Sequence, residues 1–342
     1  MPRTPKVVAE VLQHYGAATR EGLKKYLPSE SANPHLHDLL IEYPRRGGKM
    51  MRPSICIATA RAFGASLEEA LHTAIAIELI HNALLVHDDI QDESEIRRGE
   101  PTLHLQHGVP LAINAGDGLF LLSFRPLLDN LPHLGAQLAF EIFQETERMA
   151  WETAEGQAME LGWRRDNSID LSDGDYLVMV LKKTCWLAVI YPSRVGAIIG
   201  SRGKVSLEQF IRFGFFLGSA FQIQDDLLNF VADSHYGKEL NGDIFEGKRT
   251  LMLLHCVRQC DDKERKRVMH LLTLPRSQRR SKEIEWVRRL MDSYGSVNYA
   301  QSVAHALAGA ALHEYNGIFR DLPETRDKEF ICGLVSWVFE RI

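Results

Sequence analysis

The chain has 342 residues, 45% of them hydrophobic and 25% charged, with a formal net charge of −5 at neutral pH. That is enough apolar material for a large core, and a net negative chain is not a general nucleic-acid binder, although a local cluster of lysines and arginines can still hold anions. Five cysteines at 56, 185, 256, 260 and 332 contain no C-x-x-C pair, which argues against a zinc site or a disulfide framework and for a reducing compartment.

From the N-terminus the periodicity is helical. Thr4 and Pro5 suit an N-cap and a first helical position, and Val7, Val8, Val11, Leu12 and Tyr15 recur at helical spacing. No apolar leader and no stretch of about eighteen uncharged apolar residues is expected, so the chain is read as cytoplasmic and without a transmembrane segment. Convincing strands with alternating, β-branched patterning are absent from the sequence, and the expectation is an all-α chain of many helices in one domain spanning 1–342.

Two long helices stand out. The first is predicted to begin at Ser66, with Glu69 completing a capping box, and to run through Ala70, Ala74, Ile77 and Leu84 to Asp92. The second is predicted to begin at Ser206, with Gln209 three residues on, and to run through Phe213, Leu217 and Phe221 to Asn229. Each carries an Asp-Asp pair near its far end, roughly 30 Å from its cap. Loops are expected at 43–49, 97–110, 164–175, 236–247 and 275–282. Cys256 and Cys260, four apart, are read as two buried thiols on one helix face.

Asp88 and Asp92 stand one turn apart on one helix face, and bare they would repel. A solvated acidic helix end is one reading. A hard divalent cation is the other, since Mg²⁺ commonly pairs one or two carboxylates with phosphate oxygens. The position favours the cation, because the C-terminal end of a helix disfavours negative charge and an apolar run, 83–86, leads into it. Asp225, Asp226 and Asn229 repeat the pattern on the second helix.

Cations follow these carboxylates along the chain. Arg97 and Arg98 come just after the first motif and suit bidentate contact with diphosphate, or simple charge balance. Gly47-Gly48-Lys49 leads to Arg52, and Lys182-Lys183-Thr184 interrupts an apolar helix expected over 176–190. A lysine pair there is costly unless an anion satisfies it. Lys238 and Lys248 flank a glycine-containing loop after the second acidic helix. His81 lies two turns before Asp88, where it is either a core residue or a phosphate donor. His104 and His107, the pair Asp261-Asp262 and the basic stretch 276–282 are assigned no role.

The ordered set GGKMMRP, HNALLVHDDIQDESEIRRGEPT, NAGDGLF, KKT, FQIQDDLLN, GKELNGD and GKRT resembles the trans-isoprenyl diphosphate synthases over roughly residues 45–255. The resemblance implies a large helical bundle around a deep central cavity, usually a homodimer, that condenses isopentenyl diphosphate head-to-tail with an allylic diphosphate. It further implies that Asp88, Asp92 and Asp225 take Mg²⁺. Arg97, Lys183, Thr184, Gln222, Lys238 and Lys248 would then hold the allylic diphosphate, and Lys49, Arg52, His81 and Arg98 isopentenyl diphosphate. Of these, Asp88, Asp92, Asp225 and Lys183 would carry the catalysis. Two features depart from the pattern. The second motif ends in Asn229 rather than Asp, which keeps an oxygen ligand but loses a charge, and the Lys-Thr helix with its Tyr191-Pro192 is less typical.

Product length is expected to follow from the level just above the first motif. Ala83, next to Leu84, leaves it open where farnesyl synthases of that family tend to place aromatics, so a product of geranylgeranyl length or longer is expected, with Leu121 or Phe124 as the floor and Ala83→Phe shortening it. Three rival readings are weighed. A terpene cyclase-like enzyme on the same scaffold would not need Lys49, Arg52, His81 and Arg98, a non-catalytic subunit should have lost an acidic motif, and an HD-type phosphohydrolase around His87-Asp88 leaves the second Asp pair unexplained.

Overall fold

The computed structural model describes residues 6–231 and 241–339, and almost every element among them is a helix. The amphipathic start becomes α1 (Lys6–Leu23), which buries Val8, Val11, Tyr15 and Leu23. Two shorter helices follow, α2 (His37–Arg45) and α3 (Met51–Ala62). The first predicted long helix is α4 (Leu67–Gln91). Ser66 accepts from the Glu69 amide at 3.2 Å and Glu69 returns a bond to the Ser66 amide at 2.8 Å, as the capping box requires.

Beyond α4 the chain forms a short antiparallel hairpin, β1 (Ile96–Arg97) and β2 (Glu100–Pro101), the only sheet among the described residues. A group of helices then covers one side of α4: α5 (Leu103–His107), α6 (Val109–Leu122), α7 (Phe124–Leu128) and α8 (Asn130–Leu134). The expected loop at 97–110 is therefore mostly structured. Next comes α9 (Ala136–Arg165), whose 30 residues exceed both helices singled out from the sequence. It is weakly marked because most of its surface is polar or exposed and only seven of its residues are buried.

The stretch expected as a single helix from Tyr176 to Ile190 is α10 (Asp173–Val180) followed by a π-helix (Leu181–Ile190), and α11 (Tyr191–Ser201) continues from it. The second long helix is α12 (Glu208–Val231). It begins two residues after Ser206, so the second predicted capping box does not sit at the helix start; the preceding Leu207 carbonyl is taken by Arg194 at 2.9 Å. Six further α-helices follow among the described residues, α13 (Gly242–Glu246), α14 (Leu251–Gln259), α15 (Asp262–Thr273), α16 (Ser281–Ser293), α17 (Ser296–Phe319) and α18 (Arg326–Trp337), with a 3₁₀ turn (Arg276–Gln278) between α15 and α16. Asp261, read from sequence as solvated surface, caps α15 through a capping box with Glu264. Cys256 is buried on α14, but Cys260 is past the helix end and half-buried, so the two thiols do not share a buried face.

The core forms around the π-helix, which packs between α9 and α12, while α3 carries α11 and α12 carries α17. One apolar cluster runs from Val8 to Val338. A smaller one lies between α2, α4 and α6 and contains Leu40, Tyr43, Leu79, Ala83, Ala112 and Leu119. Two stretches, Leu67–Gln91 and Val109–Leu134, are long and apolar enough by composition to cross a membrane, contrary to the expectation that none would be. The first is a core helix, with 67% of its most apolar window buried inside the protein.

Candidate active site

The C-terminal ends of α4 and α12 and the N-terminal part of the π-helix carry predicted charged residues, and the C-terminal end of α9 adds Glu160 and Arg164. Asp88 ends two turns below His81. Its carboxylate lies 3.3 Å from the Lys183 ammonium and 3.8 Å from the Arg97 guanidinium. Burial alone would raise the Asp88 carboxyl, but Lys183, Lys248 and Arg97 together outweigh it and hold the group below its ordinary range. Asp92, one turn on, is buried and meets Arg164 at 2.5 Å and Lys248 at 2.8 Å. Lys248 also pairs with Glu246 at 2.7 Å, and Glu246 accepts from Ser94 at 2.9 Å. Burial disfavours the Lys248 charge, yet Asp92, Glu246 and Asp243 keep its pKa well above the ordinary lysine value.

The lysine pair divides. Lys182 turns to Glu152 and Glu155 on α9, at 2.7 and 2.6 Å, so an anion is not what satisfies it. Lys183 faces the site, where the buried Glu160 accepts from it as well as Asp88. A run of polar contacts extends from this point: Thr184 donates to Gln222 at 2.9 Å, Gln222 to Asp226 at 2.8 Å, and Tyr176 to Asp226 at 3.0 Å. Burial and the neighbouring Asp243 push the Asp226 carboxyl well above the carboxylate range. Asp225 is half-buried next to it on α12. A cavity of about 40 Å³ opens among Glu160, Lys183, Thr184, Gln222, Asp226 and Lys248. A larger cavity, about 210 Å³, lies between α1, α4 and α8 beside His72 and His133. His72 stands sixteen residues before Asp88, about 24 Å along the helix axis, so the smaller cavity is the one that belongs to the site.

Lys183 is placed by backbone packing. Gly156 on α9 lies so close to the π-helix that an added Cβ would stand 2.2 Å from the Lys183 nitrogen. From the opposite side Gly214 and Gly218 on α12 approach Ile190 and Cys185, with an added Cβ at 3.0 Å from their backbone atoms. Side-chain-free positions on two helices thus clamp the wide π-helical turns, a helix type often found at functional sites.

A second cluster forms where α2, α3 and the hairpin meet α4. Arg52 Nη1 lies 3.3 Å from His81 Nε2. Arg98 donates to the Tyr43 carbonyl at 3.0 Å, lies 3.5 Å from Asn82 Oδ1, and packs against Gly48, where an added Cβ would stand 2.8 Å from Arg98 Nη2. Lys49 is exposed, with its ammonium 5.4 Å from the Trp337 ring centre on α18. Burial, followed by Arg52, Arg98 and Arg97, depresses the His81 pKa well below the ordinary histidine value, so the imidazole is neutral near pH 7. Burial raises the carboxyl pKa of Glu78, one turn above, and Arg98 and Arg52 act against that rise.

Of the residues singled out from sequence, Lys238 lies outside the described residues. Asp88, Asp92, Lys183 and Lys248 come together with Arg97, Thr184 and Gln222 close by, while Arg52, His81 and Arg98 form the second group. Ala83 is fully buried in the smaller apolar cluster against Ala112 and Leu119, whereas Leu84 packs on the main core. Leu121 is 62% exposed and so is no floor to an internal cavity; Phe124 packs on the core beside Phe120, with ring centres 5.9 Å apart. Glu160, Arg164, Glu246 and Tyr176 were not found from sequence, since each reaches the site only through helix packing. Glu160 lies one turn past Gly156, and that pairing with a helical glycine is the one trace it leaves in the chain.

These residues suit a divalent cation. The donors are hard carboxylate oxygens from two helices, and no three acidic, histidine or cysteine side chains among the described residues converge into a closed protein-only site. An open donor set fits a cation whose other ligands are phosphate oxygens and water.

The chain resembles known proteins over most of its length. A family model described as polyprenyl synthetase matches residues 33–291. The chain is 35% identical over 296 residues to a short chain isoprenyl diphosphate synthase of Methanothermobacter thermautotrophicus, covering 86% of this chain and 87% of that protein. It is 31% identical over 336 residues to a geranylgeranyl pyrophosphate synthase of Geoglobus acetivorans, covering 98% and 99%. The crystal structure of geranylgeranyl pyrophosphate synthetase from Pyrococcus horikoshii superposes with a TM-score of 0.83 at 29% identity, covering 97% of this chain and 99% of that one.

Proposed function

The chain belongs to the polyprenyl synthetase family, and from that premise we propose that it condenses isopentenyl diphosphate with an allylic diphosphate to give a trans-polyprenyl diphosphate of geranylgeranyl length or longer. The observation that carries this reading is the reciprocal neutralisation of α4. Asp88 and Asp92 are each met by cations from different elements, Lys183 and Arg97 on one, Arg164 and Lys248 on the other. Such cations are held ready for an anion that brings its own metal.

Mg²⁺, held by Asp88, Asp92 and Asp225, would neutralise charge on the departing diphosphate. Lys183, Lys248 and Arg97 stabilise the same developing charge through fixed donors in a water-poor site. Thr184 and Gln222 orient the diphosphate head from the opposite wall. Arg52, Arg98, Lys49 and neutral His81 hold isopentenyl diphosphate so that its double bond faces the allylic carbon, and the apolar walls keep water from the cation. No side-chain nucleophile is required. The chain acts as one domain, a reading supported by the main apolar cluster, which runs from Val8 to Val338.

A homodimer completes the proposal. Ile113 and Leu121 on α6, Leu128 on α7, and Phe140, Phe143 and Trp151 on α9 are all exposed apolar residues, and Phe143 adjoins Phe124 with ring centres 6.3 Å apart. Exposed apolar residues on neighbouring helices suit a protein–protein contact, and a second copy is the commonest partner.

The test is incubation of purified protein with Mg²⁺, isopentenyl diphosphate and each allylic diphosphate in turn, followed by chromatography of the products. Product of geranylgeranyl length or longer is expected, lost when the metal is chelated, and shortened by Ala83→Phe. Turnover of an allylic diphosphate without isopentenyl diphosphate would replace this reading with the cyclase one.

A further inference from the structure

Arg97 and Arg98 are adjacent in sequence, yet their guanidinium groups serve different clusters. The reason is the hairpin turn. Arg97 pairs with Glu100, and the two intervening residues, Arg98 and Gly99, both take positive φ, +55° and +79°. A turn of this kind reverses the chain within two residues and sends neighbouring side chains apart. Arg98 carries a side chain in the left-handed region that favours glycine, so the surrounding structure must hold it there.

Tyr43 on α2 meets both arginines. Its side chain is 1% exposed. The hydroxyl donates to Asp89 Oδ2 at 2.5 Å, and Asp89 in turn accepts Arg97 Nε at 2.9 and 3.1 Å on its two oxygens. The backbone carbonyl of Tyr43 accepts from Arg98 at 3.0 Å. Arg46 lies over the Tyr43 ring, 4.7 Å from its centre, and donates to the carbonyls of Arg97 and Pro101 at 3.3 and 2.9 Å, which ties the hairpin to α2. The Leu103 amide closes on the Tyr43 hydroxyl at 3.4 Å. Asp89 is itself fully buried, and the proposed chemistry does not use it. A buried carboxylate bonded to both a phenol and a guanidinium fixes the orientation of the guanidinium.

We propose that Tyr43 is a positioning residue that sets Arg97 and Arg98 at a fixed separation through two different atoms, its phenol acting on Arg97 through Asp89 and its carbonyl acting on Arg98 directly. The two diphosphate subsites are thereby held in register by one buried residue on α2. This deepens the proposed function and rests on its assignment of Arg97 to the allylic diphosphate and Arg98 to isopentenyl diphosphate.

The two atoms can be separated by mutation. Tyr43→Phe removes the hydroxyl and keeps the ring and the carbonyl. Steady-state kinetics of this variant should show KM for the allylic diphosphate raised on the order of tenfold, the magnitude of one lost hydrogen bond to a charged pair, with KM for isopentenyl diphosphate within about twofold of wild type. Asp89→Asn should give the same split, and the double variant should be no worse than the more impaired single, because both act on one chain of contacts. Equal changes in both KM values, or no change in either, would overturn the positioning role, as would additive effects in the double variant. Arg97→Met and Arg98→Met report separately on the underlying assignment. If they fail to raise the allylic and the isopentenyl KM respectively, the subsite assignment falls, whatever Tyr43→Phe shows.

Discussion

His81 illustrates what a single residue gains from its surroundings. A lone histidine on an apolar helix face is unremarkable in sequence. In the structure, burial and three arginines, Arg52, Arg98 and Arg97, drive its pKa far below 6.5, with Asp88 alone pulling the other way. The folded state therefore refuses a proton that the unfolded chain accepts near pH 6.5. The stability this neutral form contributes is complete above that pH and is lost as pH falls below it. Denaturant unfolding at pH 7.5 and pH 5.5 should show wild type losing stability on acidification, at up to about 1.4 kcal/mol per pH unit for this one group. His81→Gln should flatten the slope, leaving a remainder set by His72, His104 and His255, whose pKa values are also lowered by burial, against the raised carboxyl of Asp226, which acts in the opposite direction. An unchanged slope in the variant would remove His81 from this role. The same scale explains Lys182 and Lys183. Sequence gives both the same chemistry, and the direction each side chain takes from the π-helix decides that Glu152 and Glu155 receive one while Asp88 and Glu160 receive the other.

At the scale of elements, the π-helix over 181–190 is the part that local propensity does not reveal. Its extra residue per turn costs backbone geometry, and it persists because α9 and α12 present glycines against it. Gly156→Ala should therefore do more than fill space. The new Cβ at 2.2 Å from the Lys183 nitrogen cannot be relieved by a side-chain rotation, so the π-helix must move and take Lys183 with it. A shift of about 1 Å in a positioning group can cost on the order of 100-fold in rate, against a destabilisation of about 1–3 kcal/mol from overpacking. Measured kcat should fall steeply while thermal unfolding shifts by a few degrees. Gly162→Ala, on the same helix with nothing within 4 Å of an added Cβ, should leave both unchanged. A Gly156→Ala protein with wild-type kcat would show that the glycine clamp does not set the lysine. The capping boxes teach a related lesson. Ser66 and Glu69 mark the start of α4 because the bonds are local, whereas Ser206 and Gln209 have the same spacing and do not, the helix entering at Glu208.

For the whole molecule, the exposed apolar strip along α6, α7 and α9 makes a prediction about assembly. The wild-type chain should sediment at twice the monomer mass of 38.8 kDa. Replacing Phe140 and Trp151 together by glutamate should shift it to monomer, since charge is expensive in a buried apolar contact. A wild-type protein that sediments as a monomer at micromolar concentration would remove the homodimer from the proposal. The strip also accounts for the apolar composition of Val109–Leu134, only 39% of whose most apolar window is buried within the chain.

The sequence by itself determined that this chain is predominantly helical, where α4 begins and ends, and that two acidic helix ends and a set of cations belong together. Those properties are local or ordered along the chain: side-chain period, cap spacing, and the identity and order of charged residues. It did not determine the partners. Glu160 and Arg164 on α9, Tyr176 on α10 and Tyr43 on α2 enter the site only because helices distant in sequence pack together, and apart from the glycine one turn before Glu160 nothing in their own neighbourhoods marks them. Nor could spacing show that Arg97 and Arg98 part company, because that depends on a turn with two positive φ angles. Tertiary packing decided which carboxylate each cation meets, since ion-pair choice follows distance in space and desolvation, and both are properties of the folded chain.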